Sequence, residues 1–206
     1  MICEEEEILF VEICRNACVS IRSSFGETFK EHDFILGHHS VGDMGEPIPP
    51  KVLDTYKSFC VVRNPFDRMV SIWLWGYKGW KAKTFKEFLT RHYNGEYKDN
   101  PATRSVTTSL ISTWHYSPQI DWIVDKSGKI AVDRIIRFEN LKNDFKKLCK
   151  DWGLPKMRLK KKNTAKSRCG FERKPWTRYY DGECLEMVRE LFEKDFKAFN
   201  YKESKR

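Results

Sequence analysis

Hydrophobic spacing changes part-way through the stretch SFCVVRNPFDRMVSIW, residues 58–73. Phe59 to Val62 form an unbroken apolar run, whereas after Arg63-Asn64-Pro65 the apolar positions are Phe66, Met69, Val70, Ile72 and Trp73. The run reads as a strand buried on both faces, and the later spacing as one face of a helix. Pro65 suits the first helical position, where a missing N–H costs nothing. The chain opens with the same switch. ILFVEI (8–13) reads as a buried strand, and 16–32 as a helix interrupted near Gly26.

Further along, FILGHH (34–39) is a second strand candidate, and the Gly/Pro-rich 41–50 reads as loop. Residues 84–93 have amphipathic helical spacing, and 94–105 reads as loop. Residues 121–140 read as two short extended pieces around Ser127-Gly128. A helix over 141–153 ends at the stop signals Gly153 and Pro155. A last helix over 184–199 carries the stripe Leu185, Val188, Leu191, Phe192, Phe196 and Phe199, with Asp181 placed to cap it. Strands alternating with helices predict an α/β fold with a mostly parallel sheet and right-handed crossovers. In such sheets ligands bind beyond the carboxyl ends of the strands. Arg15 and Arg63 both fall at such ends.

The length of 206 residues fits one domain over 1–206. The formal net charge of +9 points to an acidic partner: nucleic acid, a membrane surface, a phosphorylated cofactor, or a sulfated or carboxylated substrate. The 7 cysteines are odd in number and form no zinc-spaced CxxC pair, a pattern suited to a reducing compartment. MICEEEEILFVEI has no basic leader, and no apolar stretch is long enough to span a bilayer. The resulting expectation is a cytoplasmic protein. The run EEEE (4–7) reads as a solvated leader.

Two segments carry candidate chemistry. In LFVEICRNACVSI (9–21), a strand is followed by Arg15 on a turn and Ser20 early in the next helix. Backbone N–H groups at a helix N-terminus beside a basic side chain favour a phosphate. The Walker pattern GxxxxGK[ST] is absent. The second segment holds Arg63 and Ser71. An arginine after a buried strand is in general a solvated strand end, so the rest of the pattern decides.

With these segments the sequence resembles the sulfotransferases related to the heparan and chondroitin carbohydrate O-sulfotransferases, whose donor is 3′-phosphoadenosine 5′-phosphosulfate (PAPS). VVRNPFDRMVSIW is similar to their 3′-phosphate motif VRNPxDRxVSxY, and LFVEICRNACVSI stands where they commonly carry FVHIPKTGGTS. WHYSPQIDWIVDKSGKIAVDRIIRFENLKNDF (114–145) resembles a further family stretch, as more loosely do KKKNTAKSR, RYYD and the last helix. The first loop departs from the pattern: Cys14 replaces Pro, Arg15 replaces Lys, and Cys18 and Val19 replace a small residue and Thr. Arginine keeps the charge and can fork onto phosphate oxygens.

The resemblance implies a P-loop-type three-layer sandwich, its central, mostly parallel sheet flanked by helices. It implies that Arg63 and Ser71 hold the 3′-phosphate, with Lys166 or Arg168 from the basic stretch 156–178 beside them. Arg15, Asn16 and Ser20 would hold the 5′-phosphosulfate. GHHS (37–40) resembles a segment carrying a catalytic base, which makes His38 the first candidate and His39 the second. His115 and Gln119 would line the acceptor pocket; a hydrogen-bonded structural pair is the alternative. Arg68 and Glu139 read as structural, and Trp176, Tyr179 and Tyr180 as core. The implied activity is sulfuryl transfer from PAPS to a hydroxyl of a carbohydrate or small molecule, with no metal and no nucleic-acid partner. Two rival readings stay open: a small P-loop kinase, and a non-catalytic nucleotide- or nucleic-acid-binding module on a degenerate sulfotransferase fold.

Overall fold

A computed structural model describes residues 1–30, 34–36, 39–41, 46–76, 82–96, 116–160, 170 and 172–202. In chain order its elements are β1 (Ile2–Cys3), β2 (Ile8–Val11), α1 (Cys18–Thr28), β3 (Phe34–Ile35), β4 (His39–Ser40), β5 (Glu46–Pro47), α2 (Pro50–Thr55), β6 (Lys57–Val62), α3 (Pro65–Trp75), α4 (Phe85–Tyr93), β7 (Arg134–Arg137), α5 (Leu141–Asp151), α6 (Gly182–Leu191) and α7 (Glu193–Phe199). Short 3₁₀ turns stand at Ile120–Trp122, Phe138–Asn140 and Trp176–Arg178. The chain divides into two compact units, Met1–Arg63 with Gln119–Lys162 and Asn64–Pro118 with Asn163–Arg206. Among the described residues no helix is long and apolar enough to cross a membrane.

The first unit is built on a five-stranded mixed sheet in the order β3-β1-β2-β6-β7. β2, β6 and β7 are parallel, and β1 is antiparallel to both its neighbours. Leu9, Phe10, Val11 and Phe59 to Val62 are all buried, as expected of parallel strands covered on both faces. On one face Phe10 stacks on Phe59 at 4.7 Å, and α1 and α5 add Ile21, Phe25, Phe145 and Leu148 to the same cluster. The Ser58 amide and hydroxyl both donate to Asp133 Oδ2, at 2.7 and 3.0 Å. That pair fixes the β6–β7 register, in which Val62 lies opposite Arg137. The next residues on the two chains are Arg63 and Phe138.

Several local expectations change. The acidic run 4–7 is not a leader but the turn of the β1–β2 hairpin, where Cys3 pairs with Ile8. α1 runs through Gly26 to Thr28, since the exposed glycine costs helix propensity without breaking hydrogen bonding. Of the 34–39 strand, Phe34–Ile35 joins the main sheet while His39–Ser40 pairs with β5 in a separate two-stranded sheet; residues 37–38 lie outside the described residues. The loop expected over 41–50 contains β5 and gives way to α2 at Pro50, a proline at the helix start.

The second unit is helical around an aromatic core. Asn64 caps α3 by accepting from the Phe66 amide at 2.9 Å, with Pro65 at the first position. Phe66 stacks on Trp176 at 5.0 Å, and the Tyr180 hydroxyl donates to the Phe66 carbonyl at 2.8 Å. Trp176, Tyr179 and Tyr180 therefore belong to this unit's packing. Buried Arg68 donates through Nη1 to the Ser117 carbonyl at 2.8 Å, and Arg173 pairs with Asp67. The 184–199 stripe is two helices that meet at Phe192 (φ −123, ψ 27). The Phe192 amide still bonds the Val188 carbonyl, and its own carbonyl accepts from Phe196, so the apolar period passes through the break unmarked.

Asp181 caps α6 by accepting from the Cys184 amide at 2.8 Å. That bond, then the Lys86 ammonium, lowers its carboxyl to about 2. The folded value lies below the ordinary one of about 3.9, so the cap's contribution is present above about pH 4 and lost as pH falls towards about 2. Urea unfolding at pH 7 should show Asp181→Ala losing about 1 kcal/mol and Asp181→Asn much less. The Ala deficit should shrink below pH 3; a constant deficit would mean the carboxylate is not the capping group.

Candidate functional site

The segment between β2 and α1 is an unusual turn. Arg15 (φ 70) and Ala17 (φ 66) are both left-handed, and neither is glycine. Each such residue costs about 1–2 kcal/mol locally, so contacts elsewhere must hold the turn. The Asn16 amide donates to the Ile13 carbonyl at 3.2 Å, and the amides of Ser20 and Ile21 donate to Ala17 O at 2.9 and 3.1 Å. Ala17 caps α1 without a side-chain acceptor. The first amides of a helix have no intrahelical acceptor, and a left-handed turn leading into them makes a concave row of N–H groups suited to an anion. Cys18 Sγ lies 3.1 Å from the Ile13 carbonyl, to which the thiol donates, and burial raises that thiol's pKa, so it stays protonated.

Two buried amides hold the turn. Asn16 and Gln119 are both 0% exposed. Asn16 Nδ2 donates to the Val61 carbonyl at 2.7 Å and to Gln119 Oε1 at 2.6 Å. Gln119 Oε1 also accepts from the Arg63 amide at 2.8 Å, and its Nε2 donates to the Arg63 carbonyl at 2.8 Å. Gln119 thus meets Arg63 as an adjacent strand would, and the same oxygen ties in the first turn. Asn16 donates twice through Nδ2, which fixes the amide orientation.

Arg63 stands where these contacts converge. Its side chain is buried, Nη1 donates to the Arg15 carbonyl at 2.9 Å, and Cζ lies 3.8 Å from the centroid of the Phe138 ring. The carboxyl ends of β2 and β6 therefore carry a fixed guanidinium beside an anion-receptive helix start. Behind them, buried Glu12 pairs with Arg22 Nε at 3.4 Å.

The sequence candidates are distributed as follows. Arg15, Asn16, Arg63 and Gln119 are brought together, and Ser20 sits half-buried in the first turn of α1. Gln119, read either as lining an acceptor pocket or as part of a hydrogen-bonded structural pair with His115, bonds Asn16 and the Arg63 backbone; His115 lies outside the described residues. Ser71 is buried on α3 in the second unit. His39 is buried on β4. His38, His115, Lys166 and Arg168 lie outside the described residues. Sequence reasoning missed Phe138, although it follows a strand end as Arg63 does. Among the described residues no group of three or more His, Cys, Asp or Glu could hold a metal ion.

The profile of the sulfotransferase family matches residues 1–202. The chain belongs to the sulfotransferase family. No curated protein matches it. A relation to the carbohydrate-type enzymes fits this family. In this sulfotransferase the match covers both strand-end segments.

Gln119→Leu keeps the volume but strands the Arg63 backbone groups and one Asn16 donor. Each buried orphan costs about 1–3 kcal/mol, so urea unfolding should show a loss of about 3 kcal/mol or more. A loss under about 1 kcal/mol would show that the clasp does not hold the turn.

Proposed function

We propose that this sulfotransferase, on a P-loop-type three-layer sandwich, moves the sulfuryl group of PAPS onto an acceptor hydroxyl of a carbohydrate or small molecule. The supporting observation is Arg63, fixed between the Arg15 carbonyl and the Phe138 ring at the ends of parallel strands, beside the opening turn of α1. An arginine fork suits a phosphate, and charge-assisted bonds are the strong ones.

In this reading Arg63 grips the donor's 3′-phosphate, and the family motif adds Ser71, with Lys166 or Arg168 from the basic stretch. Arg15, Ser20 and the amides at the start of α1 take the 5′-phosphosulfate. Asn16 belongs to the same phosphosulfate loop in this reading, and its side chain holds the turn. The acceptor oxygen forms its bond to sulfur as the bond from sulfur to the bridging 5′-phosphate oxygen breaks, and the electron pair leaves with adenosine 3′,5′-bisphosphate. Arg15 and the turn amides stabilise charge on that oxygen. In this reading His38 receives the acceptor proton, with His39 as the alternative base. The family resemblance gives His115 to the acceptor pocket. The reading needs no metal. It places the protein in a reducing, cytoplasmic setting, the compartment that the cysteine pattern of the sequence suits.

Adenosine 3′,5′-bisphosphate should raise the melting temperature. At a hundredfold excess over its Kd, linkage stabilises by about 2.7 kcal/mol. Adenosine 5′-monophosphate, lacking the group that Arg63 grips, should stabilise far less. Equal shifts from both ligands would defeat the proposal.

Turnover with labelled donor, screened over carbohydrate and small hydroxyl acceptors, tests the chemistry. His38→Ala should cut turnover by roughly a hundredfold or more, the scale of a general base, and leave nucleotide affinity nearly unchanged. A larger loss in His39→Ala would move the role to His39. Donor binding without any transfer would favour the non-catalytic reading.

A further inference from the structure

Arg63 is fixed in two distinct ways. Gln119 holds its backbone N–H and carbonyl. That contact sets where the side chain starts, not how the guanidinium plane lies. Nη1 donates to the Arg15 carbonyl at 2.9 Å, and Cζ lies over the ring of Phe138, 3.8 Å from its centroid. At that distance the cation lies over the ring face, the negative part of the aromatic quadrupole. A guanidinium stacked by its face keeps its N–H groups in the plane alongside the ring, where they can meet a carbonyl or an anion.

The contact follows from the fold. β6 and β7 are parallel with Val62 opposite Arg137, so the next residue on each strand falls level with the other. Phe138 then turns into a 3₁₀ segment. Its ring packs against the cluster that holds Phe59, Phe145 and Ile136, which anchors it from behind. A partly buried phenylalanine packed against the core holds the arginine more rigidly than a fully exposed side chain would. Fixing a long, flexible cation before the ligand arrives lowers the ordering cost of binding.

We propose that Phe138 is a positioning residue that sets the enzyme's discrimination in favour of nucleotides carrying a 3′-phosphate, by stacking beneath Arg63 and aiming its donors. This rests on the assignment of Arg63 to the 3′-phosphate. Phe138 touches no reacting atom and acts only through Arg63, so its loss should fall on affinity for the 3′-phosphate and spare the remainder of the nucleotide.

Isothermal titration of the full chain with adenosine 3′,5′-bisphosphate and with adenosine 5′-monophosphate, well below the melting temperature, tests this in wild type, Phe138→Leu and Phe138→Tyr. Leucine keeps the apolar anchor and removes the π face; tyrosine restores it. The expected result is a preference for the bisphosphate in wild type, its affinity lowered about tenfold in Phe138→Leu, unchanged monophosphate affinity, and recovery in Phe138→Tyr. A wild-type preference that survives intact in Phe138→Leu would overturn the role of Phe138 and leave the Arg63 assignment standing. Equal weakening of both nucleotides would make Phe138 merely structural and also overturn it. A wild type with no preference would overturn the Arg63 assignment, and this inference with it.

Discussion

The Gln119 amide gives Arg63 a hydrogen-bonding neighbour at the point where β6 ends. One oxygen accepts from both the Arg63 amide and Asn16, and the nitrogen returns a bond to the Arg63 carbonyl. Buried backbone groups must be paired, and the β6–β7 ladder ends at Val62 opposite Arg137. The clasp supplies that pairing and holds two loop ends at once. The left-handed turn at Arg15 and Ala17, expensive in isolation, is kept in place by Asn16 within the same network.

The remaining geometry follows from the parallel sheet. Parallel strands bring their carboxyl ends to one edge, and register decides which residues stand level there. The Ser58–Asp133 pair sets the β6–β7 register at the opposite end of the strands, and its consequence at this edge is Phe138 under Arg63. A stacked, buried arginine beside a helix start combines a fixed charge with fixed dipoles. In sulfuryl transfer, as in phosphoryl transfer, alignment and charge stabilisation are most of what a protein contributes.

Much of this was legible in the chain. The switch from an apolar run to helical spacing located β6 and α3, and the matching switch near Ile13 located β2 and α1. Arg15 and Arg63 were singled out because strand ends are where α/β sheets bind ligands. The partners of Gln119 and the role of Phe138 were not legible. A buried glutamine and a pocket glutamine look alike in sequence, and only the distances to Arg63 separate them. Phe138 matters through its register with a strand far away in the chain, which local periodicity does not encode. The β1–β2 hairpin was hidden by its acidic turn, and the break at Phe192 by an apolar period that continues across it.

A crystal structure of the complex with adenosine 3′,5′-bisphosphate tests the central claim most directly. The account predicts the 3′-phosphate on the guanidinium of Arg63, still stacked on Phe138, and the 5′-phosphate on the amides that open α1. A nucleotide bound in the reverse sense, or away from the ends of β2 and β6, would contradict it.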